Sequence, residues 1–452
     1  TNQNISANDG GIDPDSYEVG SNKKLAIPTL PLYINLFAKA IGWTYYEEAW
    51  SSQPTFDGGY IITGNTQSQG AGGRDAFIIK LDYSGNITWA KTIGGGMDDS
   101  FYSGQQTLDG GYIAVGYTRS FGAGVRDIFI VKLSSIGNIS WAKAIGGTNS
   151  DYGNFIKQTS DGGYILIANT ASYGAGGYDI LVIKLDNNGN ISWAKTIGGA
   201  NNDYGYSIQP TSDGGYILTG HTYIVNNRDI LVVKLNGSGD ISWAKTMGGS
   251  GDDTSFSIHE TFDNGYIILG YTSSYGVGNR DIIIIKLDSS GNISWAKTIG
   301  GINDDYGNFI QQTSDGGYII LAATTSYGAG GYDILVIKLD NNGNISWAKT
   351  IGGANNDNTY NNGLYQTSDG GYIIAGYTYS YGTNGDIFII KLDSNGNCGN
   401  CNLISSYFPS QLSISLSSSA IDLSIASPSL SISFVSPSIS EAVPNSIELC
   451  PQ

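Results

Sequence analysis

The tetrapeptide DGGY, or its variant DNGY, ends at Tyr60, Tyr112, Tyr164, Tyr216, Tyr266, Tyr318 and Tyr372, with spacings of 52, 52, 52, 50, 52 and 54 residues. A period near 50, repeated seven times, restricts the chain to architectures in which one small unit is copied and packed against its neighbours. Each unit reads as four short strands. In one copy these are YSIQP, GGYILTGHT, RDILVVKLN and DISWAKTMGG, parted by Gly, Asn, Asp and Ser clusters that favour turns. Four-stranded units of this size and number predict an all-β fold, a seven-bladed β-propeller of four-stranded blades. A solenoid competes, but its repeats are shorter or helical. The 65 glycines and 13% charged residues among 452 suit short strands and many turns.

A second marker, the Trp of WAK, stands at Trp89, Trp141, Trp193, Trp243, Trp295 and Trp347, only six times. One 52-residue period before Trp89 lies Phe37, in NLFAKAIG, with Ala38, Lys39, Ile41 and Gly42 in register. The last unit runs through DIFIIKLDSNGN and meets Cys398 where its own ISWAK strand is due. The N-terminal strand is therefore expected to complete the last blade and close the ring. This divides the chain into an N-terminal extension (1–30), the propeller (31–397) and a Cys-containing, Ser/Pro-rich tail of β-strands (398–452).

With these motifs, residues 31–397 resemble the large group of secreted bacterial and archaeal propeller-repeat proteins, whose units carry a DGGY turn and a Gly-Asn-x-x-Trp strand ending in Gly-Gly. Function varies or is unassigned across that group, so the resemblance implies a fold rather than an activity. LDSSGNISWAK is similar, more faintly, to quinone-cofactor propellers. No asymmetric set of cofactor-binding residues accompanies it, and no cofactor is expected.

The net charge of −17, from 39 acids against 22 bases, argues against nucleic acid and anionic membranes as partners. LAIPTLPLYINLFAKAIGW is broken by two prolines, Asn35 and Lys39, and is not expected to insert in a membrane. A start at Thr1 fits a processed secretory product, hence an extracellular or cell-surface protein.

Glu47, Asp99, Asp151, Asp203, Asp253, Asp305 and Asp357 open the first strand of each unit. They either ring one mouth of the central channel, where they would attract a cation or polar ligand, or accept backbone N–H bonds in their own turns. Paired-carboxylate catalysis needs environments that separate two pKa values, and equivalent repeats supply none, so no catalytic residue and no enzyme is expected. On the same face the loops SFGAG, SYGAG and SYGVG carry Phe121, Tyr173, Tyr275, Tyr327 and Tyr381. These rings either stand out as a binding face for sugars or proteins, or fold back on their glycine-rich loops. Strand-end Asp and Lys sets repeat with the blades and suit pairing and solvation of strand ends.

His221 and His259 lie in different units without ligand spacing, and packing or surface roles outweigh zinc. DNNGN resembles the start of a calcium loop but lacks the later bidentate Glu, so no metal is expected. Asn4, Asn86, Asn138, Asn190, Asn292 and Asn344 stand in Asn-x-Ser/Thr acceptor patterns, although Asn after Gly is also a favoured hairpin turn. Cys398, Cys401 and Cys450 all fall outside the repeats; a disulfide suits an exported chain, and their odd number leaves one thiol free or paired between chains.

The tail alternates apolar residues with Ser: Leu412, Ile414 and Leu416; Ile421, Leu423 and Ile425; Leu430, Ile432 and Phe434. Such strands need partners. Bridging to copies of the same chain would make a self-assembling structural subunit of a filament or surface layer; folding onto the chain's own propeller is the competing reading. The alternative function is a monomeric glycan- or protein-binding module.

Overall fold

The computed structural model describes residues 35–449 except 225, 383, 400, 408, 417, 421–423, 427–430, 435–437 and 442–444. Residues 1–30, Asn4, Cys450, Ile421, Leu423 and Leu430 thus lie outside the described residues. Seven antiparallel sheets succeed one another along the chain, and their first strands pack against each other in sequence, making a seven-bladed propeller. Blade four is representative: Asp203–Pro210, Tyr216–Ile224, Asn227–Leu235 and Ile241–Met247, in that order from inside to outside.

The ring closes as the missing Trp implied. Phe37–Gly42 pairs antiparallel with Asp386–Leu392, Phe37 opposite Lys391 and Ile41 opposite Ile387. It is the fourth strand of blade seven, whose first strand is broken into Asp357–Asn358 and Leu364–Gln366.

The repeated motifs are blade-to-blade contacts. Trp141 of blade two meets the Tyr164 ring of blade three edge-on at 6.3 Å. It also lies against Gly189, which has φ +75° and where a Cβ would come 2.8 Å from the indole. Both the left-handed turn and the ring contact therefore require glycine. Phe37 repeats this at the closure, edge-on to Tyr60 at 6.0 Å and against Gly85.

The Asp of DGGY is a second recurrent device. In blade four Asp213 accepts from the Thr211 hydroxyl, the Gly215 N–H and the Lys234 ammonium, the last at 2.9 Å. All seven blades pair this Lys and Asp at 2.8–2.9 Å. Burial acts to raise the Asp213 pKa, but the hydrogen bonds from Thr211 and Lys234 and the Gly215 N–H outweigh it and hold the carboxyl at about 2.

The described strands of the tail pair with the outer strands of the ring. Ile404–Tyr407 adds to the outer strand of blade six, Ser410–Ser413 to blade five, Ser418–Ala420 to blade four, and Ser424–Ala426 to blade three. Ser431–Phe434, Ser438–Glu441 and Asn445–Glu448 follow on blades two, one and seven. The tail thus circles the propeller once, against the direction of the blades, and gives each blade a fifth strand. Leu412, Ile414, Leu416, Ile425, Ile432 and Phe434, expected either to bridge to other copies or to fold onto the chain's own propeller, thus lie in segments that run along the chain's own edges. An unpaired outer strand invites edge-to-edge association, and the tail covers seven of them. Ile414 and Leu416 pack against the core between blades four and five, whereas Leu412 is exposed.

Candidate functional site

The acidic residues at the starts of the first strands are not an open ring. Glu47, Asp99, Asp151, Asp203, Asp253, Asp305 and Asp357 are each at most 1% exposed. Each accepts a backbone N–H four residues earlier, Gly199 to Asp203 at 2.8 Å and Trp43 to Glu47 at 3.0 Å, for example. The second carboxyl oxygens of Asp99, Asp151, Asp203, Asp253 and Asp305 have no partner. They and the strand-three aspartates crowd the first Gly of each Gly-Gly: a Cβ on Gly94 would lie 2.3 Å from Asp75 and 2.7 Å from Asp99. Burial, reinforced by Asp203, pushes Asp179 up to about 6 against the N–H bonds of Gly176 and Ala175. These carboxyls are buried at the blade boundaries and bonded to the turns there.

The loop aromatics fold back as well. Tyr173, Tyr275, Tyr327 and Tyr381 are half-buried and donate their hydroxyls to the carbonyls of Gly146, Gly248, Gly300 and Gly352, at 2.8, 3.0, 2.6 and 2.9 Å. Phe121 packs against Phe129 at 6.1 Å. The exposed binding face expected at these positions is replaced by partial ring faces locked to the preceding blade.

The sevenfold repeat breaks elsewhere, on the innermost strands. Their second positions are Glu48, Ser100, Tyr152, Tyr204, Thr254, Tyr306 and Asn358, and their fourth are Trp50, Tyr102, Asn154, Tyr206, Phe256, Asn308 and Tyr360. Because first strands of neighbouring blades pack against each other around the axis, these residues gather near the strand starts, towards one end of it. Trp50 stacks on Tyr360 at 3.7 Å and 15°, and lies 4.6 Å from Tyr102, which contacts Tyr117 at 5.7 Å. Arg126 covers the Tyr117 ring at 4.7 Å. Glu48 accepts from Tyr360 at 3.0 Å, from Asn65 at 3.2 Å and from Tyr46. Burial, then Glu48, raises the Tyr360 pKa far above the phenol range, so its proton stays in place. The Trp50 indole N–H is buried without a partner.

Across the axis, Tyr178 contacts Tyr204 at 5.3 Å, Tyr204 meets His221 at 5.0 Å, and Tyr206 meets Phe256 at 5.0 Å. Arg280 lies over Tyr271 and Tyr306 at 5.4 and 5.5 Å. Burial, then the charge of Arg228, pushes His221 down to about 3, leaving a neutral imidazole with neither nitrogen bonded. His221 is a channel-side packing residue rather than a surface one. The signal for this mouth was present in the sequence: aligning EEAW, DSFY, DYGN, DYGY, DTSF, DYGN and DNTY exposes variable aromatics within an otherwise constant unit.

Among the described residues no group of three His, Cys, Asp or Glu is placed to hold a metal. Asp186 of DNNGN caps its own turn, accepting from Asn188 N–H and Asn190 N–H at 2.8 Å. Asn86, Asn138, Asn190, Asn292 and Asn344 are exposed on the opposite face. The Asn190 amide donates to Asp186 at 2.9 Å, as do its counterparts Asn86, Asn292 and Asn344 to their own aspartates. Cys398 is a buried free thiol and Cys401 is disulfide-bonded, so CGNC is not closed on itself.

A family model described as "Domain of unknown function (DUF5122) beta-propeller" matches residues 367–397, within the last blade, which fits a propeller repeat family. No curated protein matches the chain. Two crystal structures of Sqt1 from Chaetomium thermophilum are 12% identical, cover 78% and 77% of this chain and 97% of their own, and superpose with TM-scores of 0.44 and 0.41. A subtype N11 neuraminidase-like protein of A/flat-faced bat/Peru/033/2010 (H18N11) is 10% identical, covering 80% of this chain and 98% of its own, at a TM-score of 0.27. None of these likenesses bears on activity.

Proposed function

We propose that the chain is a monomeric binding propeller, acting outside the cytoplasm, that captures a carbohydrate at the aromatic mouth of its channel. The observation that carries this is where the repeat breaks: the framework residues recur in every blade, while the channel-facing second and fourth positions differ and are rich in rings. Aromatic faces with a few oriented polar groups are the usual lining of ligand sites. Trp50, Tyr102 and Tyr360 supply faces, and Glu48 supplies an acceptor fixed by three donors. A carboxylate held by three donors is positioned to orient a ligand hydroxyl, which favours the reading of a binding protein. The disulfide at Cys401 supports an oxidising compartment.

A filament linked through tails would require the same strands to be exchanged between copies, since each blade's outer edge already carries one. The test is a glycan array probed with full-length protein and a Trp50→Ala/Tyr360→Ala variant. Capture by the wild type, lost in the variant at unchanged melting temperature, is expected. Binding that survives in the variant, but not in a Tyr173/Tyr275/Tyr327/Tyr381→Ala protein, would move the site to the loops.

A further inference from the structure

Beyond the aromatic mouth, the seventh position of the first strands forms another tier along the axis: Gln53, Gln105, Lys157, Gln209, His259 and Gln311, with Tyr365 completing it in blade seven. Part of this tier is satisfied internally. Gln53 donates to the Tyr365 hydroxyl at 2.8 Å, and Gln311 accepts from the Gln366 N–H at 3.3 Å.

Three consecutive blades leave donors unmatched. Gln209 is 6% exposed and its amide nitrogen has no partner. The His259 Nε2 is buried and also unpaired, its ring held edge-on to Phe309 at 5.2 Å. Lys157 makes no ion pair among the described residues, and burial alone lowers its pKa, with no carboxylate nearby to oppose it. His259 is pushed down to about 3 by burial first and by the Lys157 charge second, so the two groups sense one another across blade four. Lys157 and His259 are partly buried, and holding an unpaired ammonium beside the buried, unpaired Gln209 amide and His259 Nε2 is costly unless something answers them.

We propose that Lys157, Gln209 and His259 form a binding site for a small carboxylate anion, deeper in the channel than the aromatic mouth. One ammonium matches one negative charge, whereas a dianion would be left under-neutralised in a partly buried site. A neutral imidazole and an amide complete the donors for the two carboxylate oxygens. The site does not depend on a sugar binding at the mouth.

Isothermal titration of full-length protein with sodium acetate, with sodium chloride and sodium sulfate as separate arms, tests this. One saturable acetate site per chain is expected, with chloride and sulfate weaker. Lys157→Gln should weaken acetate about tenfold or more, the worth of a charge-assisted hydrogen bond. Gln occupies this position in four other blades, so the fold should tolerate it, and His259→Gln provides a second reading if it does not. Absence of saturable acetate binding to folded wild type, or unchanged affinity in the folded variants, overturns the site. Chloride or sulfate binding as tightly as acetate overturns the carboxylate assignment.

Discussion

The outer and inner walls of this propeller obey opposite rules. On the outer side every blade repeats the same aromatic contact, Lys–Asp pair and added tail strand, and even the substitution of Phe37 for Trp keeps the geometry. On the inner side the same backbone carries Glu48, Trp50, Tyr102, Lys157, Tyr206 and His259 at positions that differ from blade to blade. The difference separates two demands. Blade-to-blade packing must be solved seven times in the same way, while a ligand on the axis meets all seven blades at once and gains only from asymmetry.

The most damaging way to break the outer wall is to remove residues 1–42. Blade seven then loses its fourth strand, and an aggregated product without a cooperative melt is expected; a monomer with unchanged melting would refute the closure. Truncation after Asn397 should do less. The ring stays closed through Phe37–Gly42, but seven outer edges open, so a folded protein with a lower melting temperature and a tendency to associate in size-exclusion chromatography is expected. Trp193→Ala, which removes one blade-to-blade ring contact, should cost about 3 kcal/mol in denaturant unfolding.

Acidity sharpens the comparison further, because the outer wall holds two kinds of carboxyl. Asp75, Asp179 and Asp333, raised to about 6, take up protons in the folded state first, so their contribution improves as pH falls from about 6 towards the unfolded value near 4. Asp109, Asp161, Asp213, Asp263 and Asp315, lowered to about 2, contribute fully above about 4 and lose that contribution as pH falls towards 2. Melting temperature should therefore peak between about pH 4 and 5, with Asp179→Asn flattening the neutral limb and Asp213→Asn the acid one. A profile that falls steadily from pH 7 to 4 would contradict this assignment. The smallest effect on stability belongs to the inner wall: Trp50→Ala and Lys157→Gln should each shift unfolding by no more than about 1 kcal/mol, while the ligand of each site binds more weakly.

The tail marks where reading the chain stopped short. Its strands begin at residues 404, 410, 418, 424, 431, 438 and 445, at intervals of 6, 8, 6, 7, 7 and 7. Seven short strands for seven blades was a countable signal, and Ser-Ile-Ser and Ser-Leu-Ser steps are its trace in the sequence. Alternation alone told that these strands needed partners, and it was silent on which, because backbone ladders accept any strand of suitable length and polarity.

By itself the sequence determined the blade count, the strand order within each blade and the closing strand, because those follow from a period and a register that local residues repeat seven times. Only the tertiary structure decided that the acidic series turns inward to its own glycines, that the loop tyrosines bond back to the preceding blade, and that the tail circles its own ring. Each of these depends on which groups lie across a blade boundary. A carboxylate or a phenol binds whichever donor or acceptor the fold brings within about 3 Å, and spacing along the chain does not encode that neighbour.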